Sequence, residues 1–251
     1  CGRTCTSVSG RHMMRPNRAD ALRTQRRELL ATLRAMSTSG LNVGTAGNAS
    51  VRLEADSGEG ARFLVTPSRV AAAVARPADM VETRADGSYL GELAPSSEWQ
   101  LHRDVYAAFP AAGAVLHAHS PFATALACQR ADIPPFHYMI ARLGGSTVRC
   151  AGYATFGTQA LSDACVAALH ERSACLMANH GMLVYGRDLP HALALAIELE
   201  TLCAQYWRSL QLGPPVLLSD AEMADVIARF RTYGKPQRKA PPGADRGGAS
   251  G

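Results

Sequence analysis

The apolar positions of this chain repeat with two periods. Leu22, Leu29, Leu30, Leu33 and Met36 recur at helical spacing from Asn17 onward, and Gly40 supplies a stop. A second helix opens at Pro95-Ser96-Ser97-Glu98, with a serine as its cap and Glu98 in its first turn, and carries Trp99, Leu101, Val105 and Tyr106 to Phe109. Further helices are expected over about 158–172, over about 189–212 behind the cap Asp188, and from the capping box Ser219-Asp220-Ala221-Glu222 to Tyr233-Gly234. Alternating or continuously apolar stretches between them read as strands: Ser50–Leu53, Phe63–Val65, Ala114–His119, and 174–178 with 182–185. Ser120-Pro121 ends the third of these and starts a short helix. Helices interleaved with strands predict one α/β domain over residues 17–234. Residues 1–16 and 235–251 lack either period and are expected to be a disordered extension and tail.

The stretch Ala114-Val115-Leu116-His117-Ala118-His119 carries the most chemical information. On a strand its alternation puts both imidazoles on one face, roughly 6–7 Å apart along the backbone. A two-residue step on a helix would turn them about 200° apart. Paired on one face, they can converge on one metal ion. His180, next to Gly181 after the apolar run Ala174–Ala178, is a natural third ligand. Taken alone, the pair fits the polar face of an edge strand equally well. Two other stretches suit an anion. The glycine-rich turn Gly44-Thr45-Ala46-Gly47-Asn48 offers backbone N–H groups with Thr45 and Asn48 as side-chain donors, and Ser96-Ser97 stands at a helix start. Each also has a plain reading, as a turn and as a helix cap.

Composition narrows the chemistry. The formal charge of +5 resides in the ends, since residues 1–18 carry four arginines and no acid, and residues 235–251 carry four cations against Asp245. The remainder is slightly acidic, which argues against nucleic-acid binding. Only Lys235 and Lys239 represent lysine, both in the tail, so a buried Schiff-base lysine is improbable. Seven cysteines without a Cys-x-x-Cys pair suit a reducing compartment. No apolar run is long enough to cross a membrane and no secretory leader is apparent, so the expected location is cytoplasmic.

Read together and in order, several motifs carry a family likeness. They are Gly40-Leu41-Asn42 with Gly44–Arg52, Pro95-Ser96-Ser97-Glu98-Trp99, His117-Ala118-His119, His137–Ala141, Tyr153–Thr158, His180-Gly181 and Phe230–Gly234. As a set the chain resembles the class II aldolase/adducin family, nearest its fuculose-phosphate aldolase branch. That resemblance implies a three-layer α/β/α sandwich around a largely antiparallel sheet, and a homotetramer with active sites at subunit interfaces. It implies one zinc ion per subunit on His117, His119 and His180, with Glu98 as a detachable ligand and base. It implies a phosphate pocket of Gly47, Asn48, Ser96 and Ser97 with Thr45, Thr66 and Ser68 nearby. Tyr138 of a neighbouring subunit would donate a proton, while Phe156 and Tyr233 would shape the aldehyde side.

The implied reaction is reversible cleavage of a deoxyketose 1-phosphate, such as L-fuculose 1-phosphate, to dihydroxyacetone phosphate and a small aldehyde such as L-lactaldehyde. The alternatives are a 5-deoxyribulose 1-phosphate or methylthioribulose 1-phosphate aldolase, a sugar-phosphate 4-epimerase, and a non-catalytic adducin-type module. The chemistry is consistent on its own terms, because carbon–carbon cleavage beside a carbonyl needs an electron sink, and without a Schiff-base lysine a metal supplies it. One departure stands out. Arg69 occupies a position held by glycine in the fuculose-phosphate branch, where it could bind phosphate, read a carboxylate, or face solvent.

Overall fold

In the computed structural model, which describes residues 17–54 and 61–232, eight strands form one sheet between two layers of helices. The elements are α1 (Arg18–Thr38), β1 (Asn48–Leu53), β2 (Arg62–Val65), β3 (Val81–Arg84), β4 (Tyr89–Leu90), α2 (Trp99–Ala108) and β5 (Ala114–Ala118). They continue with α3 (Pro121–Ala127), β6 (Cys150–Ala151), α4 (Gln159–Ala168), β7 (Ala174–Met177), β8 (Gly181–Gly186), α5 (Leu189–Leu210) and α6 (Asp220–Thr232). The sheet order is β4-β3-β2-β1-β5-β8-β7-β6, and every pairing is antiparallel except β6 with β7. The expected fold class is therefore observed. The regions expected to be disordered, 1–16 and 235–251, lie outside the described residues, as does Tyr233.

Strand alternation divides the core in two. Ala49, Val51, Leu64, Ala114, Leu116 and Val184 point to the layer of α1, α3 and α5, where Leu29, Leu33, Leu126, Leu195 and Leu199 cover them. Phe63, Val65, Val115, Cys175 and Leu183 point the other way, against Leu101, Val105 and Tyr106 of α2 and Leu161 and Cys165 of α4. His117 is two residues from Val115 and so belongs to the α2 face. Strand β5 lies between β1 and β8, bonded on both sides, which excludes the edge-strand reading of its histidines.

The start of α2 differs from expectation. No serine caps it: the residue at the cap is Glu98, whose side chain makes no capping bond, and the helix begins at Trp99. Ser96 and Ser97 lie in the preceding turn, because residues 66–68 and 94–96 pair across a short bridge. Ser96 N–H donates to the Thr66 carbonyl and Ser68 N–H to the Ala94 carbonyl, each at 3.0 Å. Strands β3, β4 and β6 were not expected either. Glu82 of β3 is buried in an ion pair with Arg62 of β2, which lets a charged sequence run inside a sheet.

Candidate metal centre

His117 and His119 converge as the alternation requires, although His119 stands one residue past the end of β5. Their Nε2 atoms are 2.9 Å apart. His180 arrives from the tight turn between β7 and β8, and its ring centroid lies 4.7 Å from that of His117 and 4.9 Å from that of His119. Two local features hold this turn. Asn179 adopts the left-handed conformation (φ 53°), which asparagine tolerates better than most residues, and its side-chain oxygen accepts a 2.6 Å bond from Arg130 Nε. Gly181 is needed for close approach, since a Cβ there would meet the Ala118 carbonyl oxygen at 2.3 Å.

Glu98 completes the group. Its Oε2 is 3.3 Å from His117 Nε2 and its Oε1 is 3.4 Å from His180 Nε2. The carboxylate is buried, and Oε1 has no hydrogen-bond partner. Burial works against its charge, but the neighbouring imidazoles and the Asn48 amide outweigh that and hold Glu98 below the ordinary carboxylate value. Burial likewise lowers His117, His119 and His180, with Glu98 opposing it only in part, so at neutral pH the rings are uncharged. His117 Nδ1 lies 2.9 Å from the Met182 carbonyl, which can only accept; the proton sits on Nδ1 and Nε2 presents a bare lone pair. Neutral imidazoles facing one point, beside a buried carboxylate oxygen without a donor, are the donor set of a divalent cation. At metal–nitrogen distances of about 2.0–2.1 Å, tetrahedral ligands stand about 3.3 Å apart. The three ring nitrogens, all within 4.8 Å of one another, fit that span and form the one such grouping among the described residues.

The centre opens into a cavity of about 540 Å³. Much of its lining is small or polar: Thr45, Ala46, Gly47 and Asn48 from the glycine turn, Ser68 and Arg69 from the loop after β2, and Ser96 and Ser97. Gly47 is at φ +73°, and a Cβ there would strike the Asn42 amide at 2.3 Å. Tyr153, Ala154 and Phe156 line the same cavity, and the two aromatic residues among them are largely exposed. A larger cavity of about 810 Å³ lies between α1, β1 and the start of α5, away from the histidines.

Most expected site residues thus meet at one cavity, with three exceptions. Thr66 is buried, and its hydroxyl accepts the Ala49 N–H at 3.2 Å instead of lining the cavity, so it supports the turn from behind. Tyr138 lies elsewhere on the chain, half exposed, its ring parallel to that of Phe230 and lining a separate cavity with Met139 and Arg142. Tyr233 lies outside the described residues. Sequence reasoning missed Tyr153 and the Arg130 that both clamps Asn179 and lies over the Tyr153 ring at 5.5 Å. It also missed His102, Ser50 and Tyr106, which lie behind Glu98.

An α/β/α sandwich presenting three neutral imidazoles and a carboxylate beside a cavity lined by small polar residues defines a metal-dependent enzyme. The family described as class II aldolase and adducin N-terminal domain matches residues 27–207, and the chain belongs to that family. It is 48% identical over 218 residues to a 5-methylthioribulose-1-phosphate/5-deoxyribulose-1-phosphate aldolase of Rhodospirillum rubrum, covering 86% of this chain and 96% of that protein. It is 40% identical over 209 residues to the L-fuculose phosphate aldolase of Escherichia coli K12, covering 83% and 94%. A solved L-fuculose 1-phosphate aldolase superposes with a TM-score of 0.77 at 34% identity, covering 83% of this chain and 96% of that one. The chain is a class II, metal-dependent aldolase.

Proposed function

We propose that this aldolase uses zinc to cleave 5-deoxyribulose 1-phosphate and its 5-methylthio analogue, giving dihydroxyacetone phosphate and acetaldehyde or (methylthio)acetaldehyde respectively. The fuculose-type substrate expected from the motifs gives way because, of the two relatives compared, the one named for the pentulose phosphates is the more similar. The observation that carries the reading is the mixed lining of the cavity. Glu98, His119 and His180 share it with small polar residues and backbone and with the exposed Tyr153 and Phe156. A phosphate suits the polar lining and a short apolar end, methyl or methylthio, suits the aromatic lining.

Zinc on His117, His119 and His180 would supply Lewis-acid stabilisation of the negative charge that develops beside the carbonyl. The chain's own residues do the rest. Gly47, Ser96 and Ser97 seat the phosphate, with Ser68 at its side and Arg69 as a further cation. Asn48 and Thr45 belong to the same polar lining, with the Asn48 side chain engaged by Glu98 at 3.0 Å. Glu98 Oε1, free of hydrogen bonds, takes the proton from C3 of dihydroxyacetone phosphate in the synthetic direction and returns it in cleavage. Tyr138 donates a proton to the aldehyde oxygen from a second copy in a homotetramer, a role supported by its exposure and its distance from the site of its own chain. Phe156 borders the aldehyde, the side to which the family resemblance also assigns Tyr233. A cytoplasmic setting is supported by the five described cysteines, all unpaired, and no described helix is long and apolar enough to cross a membrane.

The test is a panel of L-fuculose 1-phosphate, 5-deoxyribulose 1-phosphate and 5-methylthioribulose 1-phosphate, with the released aldehydes identified chemically. Both pentulose phosphates should exceed the fuculose phosphate in kcat/KM by at least about tenfold, the 1–3 kcal/mol that a misfitted small group typically costs. A preference for fuculose 1-phosphate sinks the assignment.

A further inference from the structure

Glu98 at the cap of α2 and His102 and Tyr106 within it are spaced i, i+4 and i+8, and all three are buried. Opposite them, Asn48, Ser50 and Arg52 are spaced i, i+2 and i+4 on the α2 face of β1. A four-residue helical step rises about 6 Å and a two-residue strand step about 6.6 Å, so the two rows stay in register. The contacts follow. Asn48 Nδ2 lies 3.0 Å from Glu98 Oε2, and Asn48 Oδ1 is 2.5 Å from His102 Nε2. Ser50 Oγ is 2.7 Å from both His102 Nδ1 and the Tyr106 hydroxyl, and the Arg52 guanidinium lies over the Tyr106 ring at 4.7 Å.

These contacts have one consistent direction. A carboxylate only accepts, so the Asn48 amide turns its N–H side to Glu98 and its oxygen to His102. His102 Nε2 must then carry a proton. The ring is neutral, because burial, helped by His117, lowers its pKa to about 3, with Glu98 only partly opposing this. Nδ1 is therefore bare and accepts from Ser50 O–H, which leaves the Ser50 oxygen to accept from Tyr106 O–H. The opposite tautomer would set the bare Nε2 against the Asn48 oxygen, or flip the amide and set that oxygen against the Glu98 carboxylate. Either outcome faces two buried acceptors with no proton between them, which such surroundings penalise heavily.

We propose that His102 is a positioning residue of the reaction: its Nε2–H locks the Asn48 amide so that one oxygen of Glu98 is held by a donor and the other is left free to take the substrate proton. His102 does not touch substrate. It acts through Asn48, while Ser50 and Tyr106 complete the chain of donors behind its bare Nδ1. The inference rests on the aldolase reading for its function but not for its geometry.

Two measurements test it. In wild-type protein labelled with ¹⁵N-histidine at pH 7.5, long-range proton–nitrogen correlation should show His102 as the Nε2–H tautomer. An Nδ1–H tautomer or a cationic ring overturns the proposal. The second measurement is exchange of the C3 proton of dihydroxyacetone phosphate with solvent, on metal-loaded protein of measured zinc content. His102→Phe should lower exchange by about 10–100-fold, the range for outer partners of site residues, with zinc content unchanged and the Kd for dihydroxyacetone phosphate within about threefold. His102→Gln restores a donor near the Nε2 position and should recover most of the loss. Equal exchange in His102→Phe and wild type overturns the proposal, as does a folded, zinc-loaded His102→Gln no better than His102→Phe. If His102→Phe does not fold, the tautomer and the exchange rate of His102→Gln still decide. A wild type that exchanges no proton sinks the aldolase reading, while the tautomer continues to test the hydrogen-bond chain separately.

Discussion

Replacing Arg69 by glycine changes two things at once: how well the backbone tolerates its own conformation, and the charge at the polar lining of the cavity. Arg69 has φ +62°, the left-handed region, where a Cβ costs about 1–2 kcal/mol. Its side chain is exposed and borders the cavity, with no hydrogen bond or ion pair to any described residue. Glycine removes the Cβ penalty and gives back about 0.5–1 kcal/mol through its greater freedom in the unfolded chain. A net gain on the order of 0.5–1 kcal/mol remains, or about 1–4 °C in Tm for a domain of this size. On the functional side, a charge-assisted bond from the guanidinium to a phosphate oxygen contributes about 1.5–3 kcal/mol. Losing it should raise KM for every phosphorylated substrate about 10- to 150-fold.

Arg69→Ala separates the two effects, because alanine keeps the Cβ and loses the charge. Both variants should weaken phosphate binding alike, and only the glycine variant should gain stability. Steady-state kinetics with two ketose phosphates, competition by inorganic phosphate, and thermal melts of the three proteins together decide the matter. A KM within about twofold of wild type in both variants refutes the phosphate contact, since solvent-facing charges contribute little. A loss that differs between aldehydes and spares dihydroxyacetone phosphate assigns the arginine to the other half of the substrate.

Removing a ligand should act on metal before it acts on fold. His119→Ala, at the most exposed of the three rings, should lose zinc on dialysis and lose activity in proportion, and full zinc with full turnover in that variant refutes the site. Acid should destabilise the protein through His102. The folded ring stays neutral down to about 3, whereas the unfolded one takes a proton below its ordinary 6.5; the unfolded chain binds the extra proton between those values, and stability falls as pH drops through that window. Glu98, Tyr106 and His117 face the same ring. Between pH 6.5 and 5.0, urea unfolding of metal-free wild type should lose about 2 kcal/mol more than His102→Gln, and parallel losses would mean that His102 is not held neutral.

Much of this was readable in the chain because the strongest signals were periodic. The 3.6-residue pattern from Leu22 to Met36 marked α1, and the capping box at Ser219 marked α6, where Ser219 and Glu222 do bond reciprocally. His117 and His119 could be placed on one face from alternation alone, but not in a central strand, because pairing on both sides depends on β1 and β8, from distant parts of the chain. β3 escaped notice since its polarity is neutralised by Arg62 from another strand, and β4 and β6 since two residues carry no period. Tyr138 shows a different limit. Its apolar neighbours Met139, Val226 and Phe230 surround a half-exposed ring, and the partner that gives such a residue its role in this reading is another copy of the chain.

The row behind Glu98 was hidden for another reason. Read singly, His102 and Tyr106 are polar residues on an amphipathic helix, and Asn48 and Ser50 are polar residues in a strand. Only the packing of α2 on β1 turns their spacings into one line of contacts. The same packing explains why Glu98 had to miss the first helical turn. Helical residues are rotated by about 100° from one to the next, so a carboxylate one place later would leave the face that meets Asn48 and His117. Held at the cap position, yet making no capping bond, Glu98 turns its carboxylate to the histidines. Under the proposed reaction the serine-serine-glutamate order has a physical meaning: the turn before the helix would hold the anion, and the first residue out of that turn would take the proton.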